Sequence, residues 1–179
     1  MNTTALILPG IGNSGPQHWQ TLWQQAQPGF GRVEQADWDH PLCAVWVSAL
    51  ELAVQRAGPG VVLVAHSLAC LVVAHWAAQC HAPIKGALLV ALPDPQGPNF
   101  PPEAVGFART PTLPFAFPST LVVSADDPYG SPEHSSRLAR AWGSHCVDIG
   151  ACGHINAASG LGDWPQGLAL FEQLHCAAS

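Results

Sequence analysis

Charge is what this chain is short of. Asp, Glu, Lys and Arg make up only 10% of its 179 residues, against about 25% in an average soluble domain. With 48% hydrophobic residues beside so little charge, the composition excludes a disordered chain and favours a compact globule. Lys85 is the one lysine, the five arginines are scattered, and the net charge is −6, so no basic footprint for nucleic acid exists. No apolar segment reaches the roughly 18 to 20 residues that a membrane span needs; His66, Ser67, His75 and Gln79 interrupt the longest one. The opening MNTTALILPG has neither a basic leader nor a cleavable small-residue site. A soluble, cytoplasmic protein with no membrane partner is expected.

Metal and disulfide chemistry lack their patterns too. Six cysteines (Cys43, Cys70, Cys80, Cys146, Cys152, Cys176) are present, but no C-x-x-C occurs, and a chain of this size needs no staples. Cys152 and His154 are close enough in sequence to suggest a metal pair, yet no second pair with ligand spacing accompanies them. Neither a metal nor any other cofactor is expected. There is no repeat, no low-complexity tract and no interdomain linker, so residues 1–179 read as a single domain.

What is present is a succession of short apolar runs: TALILP (4–9), VVLVAH (61–66), GALLVA (86–91) and STLVVSA (119–125). Each is too short for a buried helix and is apolar at consecutive positions, the mark of parallel strands covered on both faces. Two weaker candidates, GRVEQA (31–36) and HCVDIG (145–150), belong nearer the sheet edges. Helical patterns separate them: PQHWQTLWQQAQ, CAVWVSALELAVQRA, LACLVVAHWAAQC, SPEHSSRLARAW and DWPQGLALFEQLHC, with Ser131 and Asp163 standing where N-caps belong. The alternation predicts an α/β fold: a mostly parallel sheet of about six strands with helices on both faces. Residues 93–118 resist the pattern. They hold eight of the seventeen prolines, together with Phe100, Phe107, Phe115 and Phe117, and form a long irregular segment that either covers a site or packs on the sheet.

Within VVLVAHSLACLVVAHW, Ser67 is a hydroxyl set in dense apolar sequence. A strand running into a serine and then a helix is the geometry of a nucleophile elbow, although Ala65 and Ala69 replace the glycines of G-x-S-x-G; the alternative is a plain helix N-cap. A serine nucleophile needs a base and an acid that orients the base. SADDPYGSP and GACGHINA both follow strand runs, at the edge where open α/β sheets build their sites. The order Ser67, aspartate, His154 is that of the α/β-hydrolases. For the acid, Asp127 is the first choice, followed by Asp126 and then Asp94. His66 adjoins the serine but points to the other face of the strand, and reads as structural. Oxyanion donors are expected from the backbone N–H of Leu68 and, in the glycine-rich turn LPGIGNSG, of Ile11. That turn has no following G-K-[ST], so it is not a phosphate-binding loop.

Taken together, PGIGNSGPQHWQTLW, QADWDHP, VAHSLA, DDPYGSP and GHINA resemble the retinoblastoma-binding protein 9 / YdeN-like serine hydrolases, nearly end to end. The resemblance implies a small, single-domain α/β-hydrolase fold and a triad of Ser67, Asp127 and His154. It also implies carboxylesterase-like hydrolysis of small ester or related acyl substrates through an acyl-enzyme. Ala69 departs from the commoner glycine of the family's elbow. The L-x-C-x-E sequence tied to the retinoblastoma-pocket interaction is absent, since PLCAV (41–45) lacks both the spacing and the glutamate, and that partner is not carried across. The competing reading is a catalytically silent binding module of the same fold, holding a protein or small-molecule partner in the pocket or on a Trp-rich surface around Trp19, Trp38 and Trp164. The expected partner is a small-molecule acyl substrate; nothing in the sequence sets an oligomeric state.

Overall fold

Successive side chains of a strand face opposite sides of its sheet, so a run that is apolar at every position needs cover on both. The computed structural model describes residues 4–177 and supplies that cover. Its strands are β1 (Ala5–Leu8), β2 (Phe30–Arg32), β3 (Val62–His66), β4 (Gly86–Val90), β5 (Ser119–Val123) and β6 (His145–Asp148). They form one sheet in the order β2-β1-β3-β4-β5-β6, with every pairing parallel. On one face, Leu6, Leu8, Leu63, Ala65, Ala87, Leu89, Leu121 and Val123 pack under α2 (Cys43–Ala57), α3 (Leu68–Gln79) and α4 (Pro132–Trp142). On the other, the alternate positions Ala5, Ile7, Val62, Val64, Leu88, Val90 and Val122 pack under α1 (Trp19–Ala26) and α5 (Pro165–Ala177). The four central strands are buried throughout, whereas β2 is half-buried and β6 largely exposed, as befits edges.

Each helix follows from its sequence. In α2, Cys43, Trp46, Val47, Leu50 and Val54 recur at helical spacing and are the buried face. Helix α3 is apolar nearly all round, and it is buried from Leu68 through Ala74 and at Trp76. Ser131 caps α4 by accepting the His134 N–H at 3.1 Å, Pro132 occupies the first turn, and Gly143 closes the helix at φ 73°. The topology also decides where a site can form. The chain leaves β1 for β2 on one side and returns to β3 on the other, so a crevice opens at the carboxyl ends of β1 and β3, the switch point where ligands bind in open α/β sheets.

Several expectations are corrected. Asp163 does not cap α5: the helix begins at Pro165, and Trp164, at φ 42°, is the residue before it. There is no Trp-rich surface, because Trp19 and Trp164 are 1% and 2% exposed and pack on one another in the core. Trp38 is half-buried, edge-on to Trp46. Of the two alternatives for the proline-rich segment, the structure takes the packed one. Phe107 is fully buried beside His75, and Phe115 stacks between Phe117 and Trp142, with ring centroids 5.0 Å away on each side. The segment packs on the α2–α4 face, and none of residues 93–118 lines the cavity described below. All six cysteines are unpaired. Among the described residues no helix is long and apolar enough to cross a membrane, and no three His, Cys, Asp or Glu side chains gather as a metal site.

Candidate active site

At the end of β3 the chain must reverse into α3 within one residue. Ser67 does this at φ 57° and ψ −127°, a backbone region that L-residues enter only at a cost of about 1 to 3 kcal/mol. Its N–H donates to the Val90 carbonyl at 2.9 Å, which ties the turn to the end of β4. Ala65 and Ala69 are both buried and small enough for the turn to form without glycine. Gly10, after β1, crosses close by: a Cβ there would lie 2.9 Å from the Ser67 Cβ, so only glycine fits.

Three sequence-chosen side chains meet at this corner. The Ser67 hydroxyl lies 2.7 Å from His154 Nε2, and His154 Nδ1 lies 2.9 Å from both carboxylate oxygens of Asp127. An ionised carboxylate only accepts, so Nδ1 carries the ring proton and Nε2 is left as an acceptor for the serine hydroxyl. The side chains of His154 and Asp127 are 10% and 3% exposed, which keeps this pair largely dry. Asp94 is elsewhere, its carboxylate 3.2 Å from His134 Nδ1. Cys152 and His154 do not form a metal pair, since both imidazole nitrogens of His154 are engaged.

The loop bearing His154 is held from three sides. Asp126 Oδ1 accepts the Gly153 N–H at 2.7 Å and the Ser124 hydroxyl at 2.8 Å, and Ser124 Oγ accepts the Cys152 N–H at 2.9 Å. These hydrogen bonds hold the Asp126 carboxyl below the usual carboxylate range, the Gly153 N–H most of all. His66 Nε2 donates to the His154 carbonyl at 2.9 Å, and the Trp19 indole N–H donates to the Ile155 carbonyl at 2.8 Å. His66 is structural, as expected, and it also lines the cavity. Nothing in the spacing pointed to Trp19 as an anchor. The adjacency of two aspartates did carry a signal for Asp126, since a neighbouring carboxylate facing away from the imidazole needs another partner.

Two more histidines, His18 and His66, line the site and are buried. Burial drives the His66 imidazole well below its usual value, reinforced by His18 and His154. Burial, then Arg32 and His154, lowers His18 to about 4. His18 caps α1 through its Nδ1, which accepts the Gln20 N–H at 3.2 Å. Gln20 is fully buried and bridges the two strand ends, its amide donating to the Leu8 carbonyl at 3.1 Å and the Val64 carbonyl at 3.0 Å. This places the turn 10–15 against the Ser67 corner. Neither the Ile11 nor the Leu68 N–H has a protein acceptor among the described residues. A cavity of about 490 Å³ opens above, walled by Gly10, Ile11, His66, Ser67, Tyr129 and His154 among others, with no Lys or Arg in its lining. A nucleophile in contact with an oriented base, beside free backbone donors, can perform acyl transfer.

A family model described as serine hydrolase matches residues 5–173. No curated protein matches the chain in sequence. Among solved structures, the chain is similar to a protein from Pectobacterium atrosepticum described as a YdeN-like hydrolase, with 31% identity and a TM-score of 0.86 over 96% of this chain and 90% of that one. The ydeN gene product of B. subtilis is 18% identical, with a TM-score of 0.78 over 96% and 98%. A thermophilic esterase from Thermogutta terrifontis is 17% identical, with a TM-score of 0.68 over 98% and 90%. The latter two likenesses bear on the fold alone.

Proposed function

Because the chain belongs to the serine hydrolase family, among its YdeN-like α/β-hydrolases, we propose that it acts, as one domain, on small esters or related acyl substrates through Ser67, His154 and Asp127. Ser67 Oγ attacks the acyl carbonyl while His154 Nε2 takes its proton, and Asp127 stabilises the imidazolium that results. The oxyanion is met by the N–H groups of Ile11 and Leu68, each such donor contributing about 2.7 to 4 kcal/mol in comparable sites. Collapse breaks the bond to the leaving group, which departs with the proton from His154, and Ser67 keeps the acyl group. Water, deprotonated by the same imidazole, then releases the acid. The reaction is carboxylesterase-like.

One observation carries the reading: a serine at a left-handed corner, 2.7 Å from an imidazole whose other nitrogen faces a carboxylate. The test is labelling by a fluorophosphonate probe and hydrolysis of phenyl acetate. The wild type should be labelled and active, while S67A should be unlabelled and slower by about 1,000-fold or more. Equal labelling of the two proteins would overturn the assignment.

A further inference from the structure

The proposed mechanism constrains more than the reacting atoms. The leaving heteroatom must come within hydrogen-bond reach of His154 Nε2, roughly 2.6 to 3.2 Å, to collect its proton. Whatever is bonded to that heteroatom is therefore brought near the groups that flank the imidazole. Two rings flank it. The His66 centroid is 5.0 Å away, but His66 is only 5% exposed and offers a substrate little surface. The Tyr129 centroid is 4.5 Å away, and Tyr129 is 38% exposed and forms part of the cavity wall.

The backbone that carries Tyr129 is also fixed in place, which limits where the ring can stand. Its N–H donates to Asp127 Oδ1 at 2.9 Å, and its carbonyl accepts the Asp94 N–H at 2.8 Å. The preceding carbonyl, of Pro128, accepts from Asn99 Nδ2 at 2.8 Å. The following residue, Gly130, passes so close to the Leu92 carbonyl that no side chain fits there. The backbone is pinned on both sides and the ring stands beside the base. An aromatic face on an anchored backbone favours flat partners, and a lining without Lys or Arg offers an anionic substituent no cationic side chain.

We propose that Tyr129 reads the leaving group, so that this hydrolase prefers acyl compounds whose leaving group is flat and uncharged, aryl alcohols above all. The inference rests on the Ser67–His154–Asp127 reading. In the step concerned, the Ser67 Oγ–acyl carbon bond forms, the acyl carbon–aryloxy bond breaks, and the His154 Nε2 proton passes to the aryloxy oxygen. Once the phenol has gone, Tyr129 has nothing left to read. The preference therefore belongs to acylation and not to hydrolysis of the acyl-enzyme.

Phenyl acetate and 2,2,2-trifluoroethyl acetate test this, since both give the same acetyl-enzyme from an activated alcohol. In Y129L the ratio of kcat/KM for the phenyl ester over the trifluoroethyl ester should fall about 3- to 10-fold relative to wild type. The fall should appear in the acylation phase alone, and Y129F should retain the wild-type ratio. In the unmutated protein, phenol should inhibit competitively and more strongly than trifluoroethanol. An unchanged ratio overturns the proposal. So does an equal loss for both esters accompanied by slower deacylation, because Tyr129 would then be propping His154, which serves both steps. Phenol inhibiting no better than trifluoroethanol overturns it as well. S67A that still turns over phenyl acetate would instead sink the reading of the site itself.

Discussion

Two replacements of Ser67 separate backbone strain from chemistry. S67A and S67G both lose the hydroxyl and its 2.7 Å contact with His154 Nε2, so they differ only in the Cβ. At φ 57° and ψ −127° that Cβ is the source of the strain, about 1 to 3 kcal/mol. Glycine removes it but gains freedom in the unfolded chain, an offset of about 0.5 to 1 kcal/mol. The balance leaves S67G more stable than S67A by about 1 kcal/mol, or about 2 to 4 °C in Tm for a protein of this size. Urea unfolding followed by tryptophan fluorescence reads the difference directly, because Trp19, Trp23, Trp46, Trp76 and Trp142 are all fully buried. Both proteins lack the hydroxyl, so the proposed chemistry does not enter the comparison. If S67G proves equal to S67A or weaker at matched m-values, the corner at residue 67 stores no strain and the argument for a forced elbow fails.

Asp126 should act by holding the backbone ahead of His154, so D126A should lose up to about 100-fold in kcat, and D126N, which keeps an acceptor oxygen for Gly153, should recover most of it. D127N should stay impaired, because a neutral amide cannot stabilise the imidazolium; equal losses in D126N and D126A would refute the backbone role. Stability should fall in acid. With His18 near 4 in the folded chain and about 6.5 when unfolded, the unfolded state binds more protons between these values, so stability rises with pH and is lost as pH drops from 6.5 towards 4. His18 alone accounts for about 2 kcal/mol between pH 7 and pH 5, and His66, shifted in the same direction, adds to it. H18N, which keeps an N-cap acceptor but does not titrate, should flatten the pH dependence of the urea midpoint; an unaltered slope would show that His18 is not held neutral.

The strands were legible because burial on both faces writes itself as unbroken apolarity: VLVAH and GALLV could hardly be anything else at that length. Their parallel pairing was legible too, because strands separated by helical periodicities are joined by crossover connections, whereas their order across the sheet was not. Ser67 stood out as a hydroxyl set among residues that have nothing to hydrogen-bond, and the loops carrying Asp127 and His154 stood out as strand ends. The tryptophans misled. Trp19 and Trp164 have a polar edge that suits a surface as well as a core, and only the fold brings them together beneath α1. Residues 93–118 left two readings open for a related reason: proline tells that a segment is irregular, not which face of the sheet its phenylalanines will choose.

Sequence by itself settled which side chains are available, because periodicity and chain order follow from local stereochemistry that each residue carries with it. Tertiary structure alone decided how neighbours divide the work. Asp126 and Asp127 are chemically identical and adjacent, yet one carboxylate holds a backbone N–H and the other an imidazole. Tyr129 became a wall beside His154 only because the loop after β5 folds over the loop after β6. Contacts between residues 27 and 87 positions apart depend on where the sheet puts their loops, and no pattern confined to neighbouring residues encodes that.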